Sequence, residues 1–399
     1  MKLLILTPSL TLPPLRGYEV ILSKQLELLS KNHSIDLVIF IEHDDKEDKL
    51  KSIRPLCNSI FTILLPKWKS IFNAGAGFFS KEPFQVRYYT SKKMSDQVNH
   101  LLQNNEYDVV IINLIRMAQY LPQGFKKPAI LNMVDPLIFN YERSLSWRPW
   151  YLRSILKLEI ARLKSYEAEQ VQRFSRIILI AQADIQDYKT LFKIDHLDLV
   201  SYGIDLDYFK SDIAVKRTPG MIVITGNMGY APNEDGVVFF CKNVFPLIVK
   251  KNPAANLWLV GTNPSAKVKK LGNGKNIIIT GYVDDIRYYL SRAMVSVCAI
   301  RLSVGTQTKV LEAMAMGTPV VTTSAGNHGI GGNSGTSLYV ADTPAGIADG
   351  VVDLLKGNNW NEVSESGRKF VNDKFRWANS VANFEGILNK LSNEYNSQR

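Results

Sequence analysis

Short apolar runs alternate along the chain with longer segments in which apolar residues recur every three or four positions. Runs of the first kind are typical of buried strands, and segments of the second kind are typical of amphipathic helices. Their alternation predicts parallel sheets covered by helices on both faces. In the first half of the chain, the pattern predicts strands at 2–7, 35–41, 60–65, 108–113, 128–133, 176–181 and 197–200, and helices at 18–31, 91–103 and 152–173.

The alternating pattern is interrupted around Tyr202–Phe209 and along a polar stretch that ends at Gly220. We interpret this region as an interdomain connection. A second series of strand and helix patterns begins at Met221 and resembles the first. It predicts strands near 221–225, 255–260, 276–280, 294–299 and 318–323, and helices near 234–250, 306–316, 344–356, 360–372 and 376–395.

The predicted fold class is therefore α/β, with two Rossmann-like, doubly wound parallel-sheet domains. A length of 399 residues suits this organisation, and we expect the domains at 1–205 and 206–375. A C-terminal helix within 376–399 is expected to pack back toward the first domain. Two such domains facing a central cleft would direct the carboxyl ends of both sets of strands toward a ligand.

The most informative segment is Arg301–Thr322, which is typical of a loop, a short helix and a strand. Thr306 is the predicted N-cap of the helix, Gly317 suits a left-handed residue at its C-terminal end, and Pro319 prevents the helix from continuing. Lys309 falls in the first turn, where free backbone N–H groups and the helix dipole already carry partial positive charge. A lysine there is unfavourable unless a nearby anion compensates its positive charge, and a bound diphosphate is such an anion.

A simpler interpretation of the same segment pairs Lys309 with Glu312, one turn further along the helix. Such exposed pairs are common and weak. The neighbouring residues favour a ligand instead. Gly305, Ser303 and Thr306 form a loop of small residues that lets a ligand approach the backbone, and the Glu312 carboxylate can accept hydrogen bonds from sugar hydroxyls.

Two further glycine-containing loops follow predicted strands. Gly17 ends the segment Pro13-Pro14-Leu15-Arg16-Gly17 after the first strand, and Gly226 begins a loop with Asn227 after the first strand of the second series. Glycine there lets backbone N–H groups approach a phosphate at a helix start. A simple turn is the alternative in each case, since neither loop matches the dinucleotide-binding fingerprint.

Composition restricts the class of protein. Apolar residues make up 46% and charged residues 21% of the chain, as in ordinary globular proteins. No apolar run approaches the roughly eighteen residues of a spanning helix, and the first strand is too short for a signal peptide. Three widely spaced cysteines and five scattered histidines suggest neither disulfides nor a metal site. We therefore expect a protein of the reducing cytoplasm.

The net charge of +11 is unevenly distributed. Residues 51–100 carry eight lysines or arginines against two acids, and aromatic residues are interleaved with them; the segment Arg143–Lys164 repeats this pattern. Such a surface would suit anionic lipid headgroups. A solvated basic face with its aromatic residues in the core is the alternative. Nucleic acid is a disfavoured partner because the sequence contains no recognisable nucleic-acid-binding module.

Six motifs are distributed over nearly the whole chain, and the last of them is the most specific. The motifs are Pro13-Pro14-x-x-Gly17, Met133–Pro136, Tyr202–Phe209, Thr225–Asn233, Gly281–Asp285 and Thr308–Val321. Together they resemble family 4 of the retaining glycosyltransferases, which have the two-domain GT-B architecture. The similarity is greatest to bacterial sugar transferases of exopolysaccharide and exosortase gene clusters.

The resemblance implies that the C-terminal domain binds a nucleoside diphosphate sugar, linked to uridine or guanosine diphosphate. Glu312 would then hold the ribose hydroxyls, while Tyr282 and Val283 would meet the base largely through backbone groups. Arg301 and Lys309 would lie on the diphosphate. The further donor-binding residues would be Arg16, Gly17, Gly226, Asn227, Gly305 and Thr306.

On the acceptor side, the resemblance makes Asp135 a candidate to orient or deprotonate the incoming hydroxyl; a turn aspartate before Pro136 is the alternative. The implied activity is hexosyl transfer, with retention of configuration, to a saccharide or lipid-linked saccharide in surface polysaccharide synthesis. It would take place in the cytoplasm, at the inner face of the membrane. We interpret the acid pairs Asp44-Asp45 and Asp284-Asp285 as solvated and capping groups, so no metal or further cofactor is expected.

The sequence departs from the wider family at two places. Many members carry two glutamates separated by seven residues, and here the first position is Val304. Many also carry Arg and Lys in the region that corresponds to Gly226–Asn233, which contains neither. These differences leave a non-catalytic nucleotide-sugar-binding protein as the alternative function. A sugar epimerase or a phosphorylase is disfavoured, because no catalytic histidine–acid arrangement or cofactor-binding lysine identifies either.

Overall fold

The computed structural model describes residues 1–11, 17–42, 50–77, 80–145, 148–210, 215–302 and 305–397. The chain divides into two compact units. We call Met1–Ser201 together with Ala378–Arg399 the N-terminal domain, and Tyr202–Trp377 the C-terminal domain. The last helix, Trp377–Ser397, contributes Phe384 and Leu388 to a core of the N-terminal domain.

The sheet of the N-terminal domain contains seven parallel strands among the described residues, in the order β3-β2-β1-β4-β5-β6-β7. All seven predicted strands are confirmed. Their bounds are β1 Lys2–Thr7, β2 Ser34–Ile41, β3 Ser59–Leu64, β4 Val109–Asn113, β5 Ala129–Val134, β6 Arg176–Leu179 and β7 Leu197–Leu199.

Helices cover both faces of this sheet. Alternate residues of each strand therefore pack into two different hydrophobic cores, one on each face. Leu4 and Leu6 of β1 belong to one core, whereas Leu3 and Ile5 belong to the other. The three helices predicted in the first half of the chain and the predicted C-terminal helix are confirmed, whereas the other helices of this domain were not predicted. The α-helices are Gly17–Leu29, Lys67–Ala76, Phe84–Tyr88, Lys92–Asn104, Leu137–Ser144, Trp150–Gln170, Gln182–Phe192 and Trp377–Ser397, with 3-10 turns at Arg54–Leu56, Ile115–Tyr120 and Val171–Arg173.

The sheet of the C-terminal domain contains six parallel strands in the described part of the chain, in the order β10-β9-β8-β11-β12-β13. The five predicted strands are confirmed, whereas the two-residue strand β13 was too short to be predicted. Their bounds are β8 Met221–Thr225, β9 Asn256–Val260, β10 Ile277–Gly281, β11 Val295–Cys298, β12 Val320–Thr322 and β13 Tyr339–Val340.

The helices of the C-terminal domain confirm four predicted helices and add three short ones. The predicted helix near 234–250 is observed as two α-helical parts joined by the π-helical turn Phe240–Val244. The α-helices are Ala231–Phe239, Phe245–Lys251, Ala266–Lys269, Arg287–Arg292, Thr308–Ala315, Ser324–Asn327, Pro344–Leu355 and Trp360–Lys374. Among the described helices of either domain, none is both long and apolar enough to cross a membrane.

Both sheets are doubly wound, and their strand order reverses once. The reversal lies between β1 and β4 in the N-terminal domain, and between β8 and β11 in the C-terminal domain. Connections from neighbouring strands leave in opposite directions at such a point, and a crevice opens at the carboxyl ends of the strands. In each domain this edge of the sheet is therefore the first place to look for a ligand site.

Candidate functional site

A pocket of about 510 Å³ lies at the carboxyl ends of β8, β9, β10 and β11 in the C-terminal domain. This volume is within the usual range of small-molecule sites. Four connections supply its walls, one after each strand. The lining residues are Thr225, Gly226, Asn227, Tyr230, Asn233, Val260, Gly261, Thr262, Tyr282, Val283, Ile286, Thr306, Gln307, Thr308, Lys309 and Glu312. We call it the donor pocket, after the role that the sequence resemblance predicts for its residues.

The helix that bears Lys309 forms one wall of the donor pocket. It begins at Thr308 with Gln307 as N-cap, so the prediction that Thr306 caps it is wrong. The Thr306 hydroxyl donates instead to the Gly329 carbonyl at 3.3 Å. The side chain of Gln307 makes no capping hydrogen bond. The N-cap side chain therefore satisfies none of the first N–H groups of this helix, whose first residues Thr308 and Lys309 line the pocket.

The end of the same helix agrees with the sequence. Gly317 adopts the left-handed conformation, with φ +65°, and its N–H bonds to the Met314 carbonyl. Pro319 then precedes β12. A left-handed glycine and a proline end the helix after eight residues. Because the helix begins at Thr308, Lys309 lies in its first turn.

The Lys309 ammonium is half-buried in the wall of the donor pocket. It donates a hydrogen bond to Oδ1 of Asn233. The amide nitrogen of Asn233 in turn donates to the Asn227 carbonyl, at 2.9 Å. Between Lys309 and Glu312, both of which are described, the structure contains no ion pair within 4 Å. The intrahelical pairing considered from the sequence is therefore not formed, and the ammonium is held toward the loop after β8.

Glu312 lines the pocket one helical turn below Lys309. Burial raises the pKa of its carboxyl to about 7, and the positive charge of Lys309 partly opposes this shift. The phenol of Tyr202 is near enough for the Glu312 charge to contribute to its own raised pKa. Near neutral pH, Glu312 is thus a carboxyl group in both protonation states, with oxygen atoms available for hydrogen bonds to a ligand.

The loops after β8 and β9 pack tightly against each other below the pocket. Gly261 has φ +149°, and a Cβ atom on it would lie 1.8 Å from the Gly226 carbonyl oxygen. Gly226 has φ +138°, and a Cβ there would approach Asn233. Thr225 ends β8 at the pocket wall, and its buried hydroxyl has no hydrogen-bond partner among the described residues. The close approach of these two loops therefore requires glycine at Gly261.

Aromatic side chains border the open side of the pocket. Tyr282 follows β10 and is 72% exposed, while Tyr230 follows the loop after β8 and is 49% exposed. Val283 is partly buried against the domain core. The exposed tyrosine rings and the backbone around the left-handed Gly281 offer a flat, partly apolar wall.

Arg301 is placed differently from Lys309. Its guanidinium forms a bidentate ion pair with Asp235, with Nε to Oδ2 at 2.8 Å and Nη2 to Oδ1 at 2.5 Å. It also lies over the Phe239 ring at 5.0 Å, and it is not a lining residue of the donor pocket. The structure thus brings together Lys309, Glu312 and the loop glycines, but it does not bring Arg301 to the same walls.

Several predicted residues complete this account. Gly305 is buried with φ +65°, directly before Thr306. Gly17 is exposed at the first position of the helix Gly17–Leu29, and a Cβ atom on it would meet nothing within 4 Å. Arg16, Val304 and the pair Asp44-Asp45 lie outside the described residues. The roles predicted for Gly17 and Arg16 on phosphate stay predictions.

One important residue was missed. Arg217 lies in the polar stretch that we interpreted as an interdomain connection, yet it is part of the C-terminal domain. Its guanidinium donates to the carbonyls of Met316 and Gly317 at 3.0 Å each, and to those of Leu290 and Ala293. Arg217 therefore holds the C-terminal end of the Lys309 helix, where a positive charge also suits the helix dipole. No sequence motif marks this contact.

Asp135 lies at the carboxyl end of β5 in the N-terminal domain. One of its oxygens, Oδ1, is buried without a hydrogen-bond partner among the described residues, and burial raises the pKa of the carboxyl to about 7. The negative charge of Asp184 raises this pKa further, whereas Arg143 lowers it. The preceding Val134 has φ +66°, a strained conformation for a β-branched residue. Strain and an unpaired buried carboxyl are typical of functional sites.

Of the two acid pairs, Asp284-Asp285 lies among the described residues. The Asp285 carboxylate binds the Arg287 guanidinium through both oxygens, at 3.0 Å from Oδ2 to Nε and 2.9 Å from Oδ1 to Nε. It also accepts the Arg287 backbone N–H at 2.8 Å. Asp285 is therefore engaged in an ion pair and a local turn.

Comparison with known proteins agrees with this geometry. Residues 219–357 match the family model described as "Glycosyl transferases group 1", and this range contains every lining residue of the donor pocket. A Klebsiella pneumoniae protein described as an "Uncharacterized 44.6 kDa protein in cps region" is 20% identical over 94% of this chain and 96% of its own length.

Solved structures share the fold of both domains. Sucrose-phosphate synthase from Thermosynechococcus elongatus has a TM-score of 0.70 at 14% identity, and the match covers 98% of each chain. HepE from Anabaena, solved in complex with UDP, has a TM-score of 0.66 at 12% identity, covering 98% of this chain and 100% of its own. TarM has a TM-score of 0.69 at 11% identity, over 97% and 98%. The fold is thus that of GT-B glycosyltransferases.

Proposed function

We propose that this protein is a glycosyltransferase that moves a sugar from a nucleoside diphosphate sugar to a saccharide or a lipid-linked saccharide. The observation that carries the proposal is the position of Lys309, half-buried in the wall of a pocket at the carboxyl ends of β8–β11. The match to group 1 glycosyl transferases covers the same residues. The UDP-bound neighbour of the same fold agrees with a nucleotide ligand.

In this proposal, the donor diphosphate lies between the Lys309 ammonium and the uncapped start of its helix. Both carry positive charge, and neither must reorganise when an anion arrives. The Glu312 carboxylate accepts hydrogen bonds from the ribose hydroxyls, and the base, uridine or guanosine, lies against Tyr282 and Val283. Arg301 is held in its ion pair with Asp235. It can bind the diphosphate only after that pair opens.

The chemical step breaks the bond between the sugar C1 and the diphosphate oxygen, and forms a bond from C1 to the acceptor oxygen. Negative charge develops on the leaving diphosphate, which Lys309 and the helix N-terminus stabilise. The acceptor hydroxyl loses its proton, and Asp135, with a pKa near 7, is the proposed base. Retention of configuration is proposed from the family resemblance, and the reaction uses no metal in this account.

The proposed setting is surface polysaccharide synthesis in the cytoplasm, next to the membrane. The relative from a cps region supports this setting. The basic and aromatic character of the N-terminal domain supports a lipid-linked acceptor.

Turnover is the direct test. Purified protein is incubated with UDP- and GDP-linked sugars, with and without lipid-linked acceptors, and release of UDP or GDP is measured. We expect release from one donor type, and its loss in Lys309→Ala. Binding of a nucleotide sugar without turnover, over all acceptors supplied, would favour the non-catalytic alternative.

A further inference from the structure

The helix Lys67–Ala76 of the N-terminal domain has its apolar face turned toward solvent. Trp68, Ile71 and Phe72 are 70%, 66% and 71% exposed, and their spacing places them on one side of the helix. Ser70, on the other side, is 2% exposed. A helix of a globular domain normally buries its apolar face, and an exposed apolar face of this kind indicates an interaction site. We call Lys67–Ala76 the stripe helix.

A second helix of the same domain also exposes apolar residues. The first turns of the helix Trp150–Gln170 are exposed, including Trp150, at 80%, and Ile155. Further along this helix, Arg162 donates to the carbonyl of Gly77, the residue that follows the stripe helix, at 3.0 Å. The later turns of the second helix therefore contact the end of the stripe helix.

The charged residues within the exposed turns of the two helices are positive. Lys67 and Lys69 flank Trp68 on the stripe helix, and Arg153 and Lys157 lie among the exposed apolar residues of the second helix. The first acid of the second helix is Glu159, which is buried and accepts hydrogen bonds from backbone N–H groups. Lys67 also forms an ion pair with Glu42, at 3.3 Å. Lys69, Arg153 and Lys157 are the other positive residues named here.

We propose that Trp68, Ile71 and Phe72 of the stripe helix form a docking surface for a bilayer that contains anionic lipids, and that Trp150, Tyr151 and Ile155 are a second contact of the same domain with it. Tryptophan, tyrosine and phenylalanine rings next to lysines and arginines are the combination that the membrane interface favours. The rings enter the boundary between headgroups and acyl chains, and the ammonium and guanidinium groups bind lipid phosphates.

The stripe helix also forms part of a second pocket. Lys67 and Ser70 line a polar pocket with Ser9, Thr11 and Tyr88, at the carboxyl ends of β1, β2 and β3. One helix thus presents apolar rings to the membrane and polar groups to this pocket.

Sedimentation with vesicles tests the docking surface. Wild-type protein is compared with Trp68→Ser/Ile71→Ser/Phe72→Ser on phosphatidylcholine vesicles with and without phosphatidylglycerol. We expect wild type to bind only the anionic vesicles, and the triple variant to lose about tenfold or more in partitioning. The matched control is Tyr208→Ser/Leu247→Ser/Tyr288→Ser, which removes three exposed apolar residues of the C-terminal domain and should bind as wild type does.

Two further measurements keep the outcomes distinct. Quenching of tryptophan fluorescence by brominated lipid should fall in Trp68→Phe, which keeps binding. UDP affinity, measured by calorimetry, reports whether the donor pocket works irrespective of docking. Equal vesicle binding by wild type and the triple variant would overturn the inference. It would also be overturned if wild type bound no vesicles and formed a dimer that the triple variant does not form. Loss of vesicle binding with intact turnover on a soluble acceptor would support docking alone.

Discussion

The side chain of Asn233 joins Lys309 to the loop after β8. Its Oδ1 accepts a hydrogen bond from the Lys309 ammonium, and its Nδ2 donates to the Asn227 carbonyl at 2.9 Å. Three elements of the C-terminal domain are thereby fixed to one another on one side of the donor pocket. A cation that is already held in place can bind a diphosphate with little loss of side-chain freedom.

Asn233→Ala should weaken nucleotide binding through this positioning effect. The variant removes one partner of the ammonium and one hydrogen bond of the loop, each worth about 1 kcal/mol. We expect UDP or GDP affinity to fall by about fivefold to thirtyfold, as measured by calorimetry. Asn233→Asp, which places a carboxylate beside the ammonium, should reduce affinity further because it competes with the diphosphate. Affinity equal to that of wild type in both variants would contradict the positioning role.

Donor binding should depend on pH through Glu312. Burial raises the pKa of its carboxyl to about 7, and the ionised form accepts much stronger hydrogen bonds from the two ribose hydroxyls than the neutral form does. Donor affinity should therefore be constant at high pH and decrease by about tenfold between pH 8 and pH 6. A nucleotide sugar is the proper ligand, since its diphosphate does not titrate in this range. Glu312→Gln should bind weakly and without this pH dependence; a wild-type affinity that is flat with pH would exclude the role.

Asp135→Asn should separate catalysis from donor binding. The substitution keeps the shape of the side chain but removes the proton acceptor, so kcat should fall by about 100-fold or more. The dissociation constant of the nucleotide sugar should not change, because Asp135 belongs to the N-terminal domain and the donor pocket to the other. The protein should unfold at the same or a higher temperature, since the buried Oδ1 has no partner to lose. An unchanged kcat would remove Asp135 from the mechanism.

Glu167 should make the protein less stable at alkaline pH. Burial raises its pKa from 4.5 to about 8, although Tyr188 donates a hydrogen bond to it at 2.9 Å. The stability gained from the neutral carboxyl is fully present below about pH 4.5 and is lost as the pH rises through about 8. Between pH 6 and pH 9, wild type should lose on the order of 2 kcal/mol more unfolding free energy than Glu167→Gln.

Asp135 and Glu312 have pKa values raised in the same direction, and they are present in both of these proteins. The difference between wild type and Glu167→Gln therefore isolates Glu167. Urea denaturation at the two pH values measures it. Parallel losses in the two proteins would show that the Glu167 carboxyl does not titrate as expected.

Much of the fold could be predicted from the sequence because buried parallel strands are continuous apolar runs. Val109–Asn113 and Met221–Thr225, for example, are almost purely aliphatic. The Lys309 helix was predictable for a different reason. Gly317 and Pro319 are local signals that end a helix whatever surrounds it, and its start was displaced by only two residues.

The remaining features depend on contacts between distant parts of the chain. Asn233 and Arg217 reach the Lys309 helix from 76 and 99 residues away, and nothing in their own sequence context indicates it. Thr306 has the residue type of an N-cap, yet its hydroxyl bonds to Gly329. The stripe helix was not predicted, although Trp68, Ile71 and Phe72 have the spacing of one helix face. The exposure of that face depends on how the domain packs around it.

The central claim is that Lys309 binds the diphosphate of a nucleotide, and calorimetry tests it most directly. UDP and GDP are titrated into wild type and Lys309→Ala, with UMP and GMP as ligands that lack the second phosphate. Lys356→Ala, which removes an exposed lysine of the same domain outside the donor pocket, is the control. We predict that wild type and the control prefer the diphosphate, and that Lys309→Ala loses about tenfold to 100-fold in diphosphate affinity. Equal diphosphate affinity in wild type and Lys309→Ala would contradict the account.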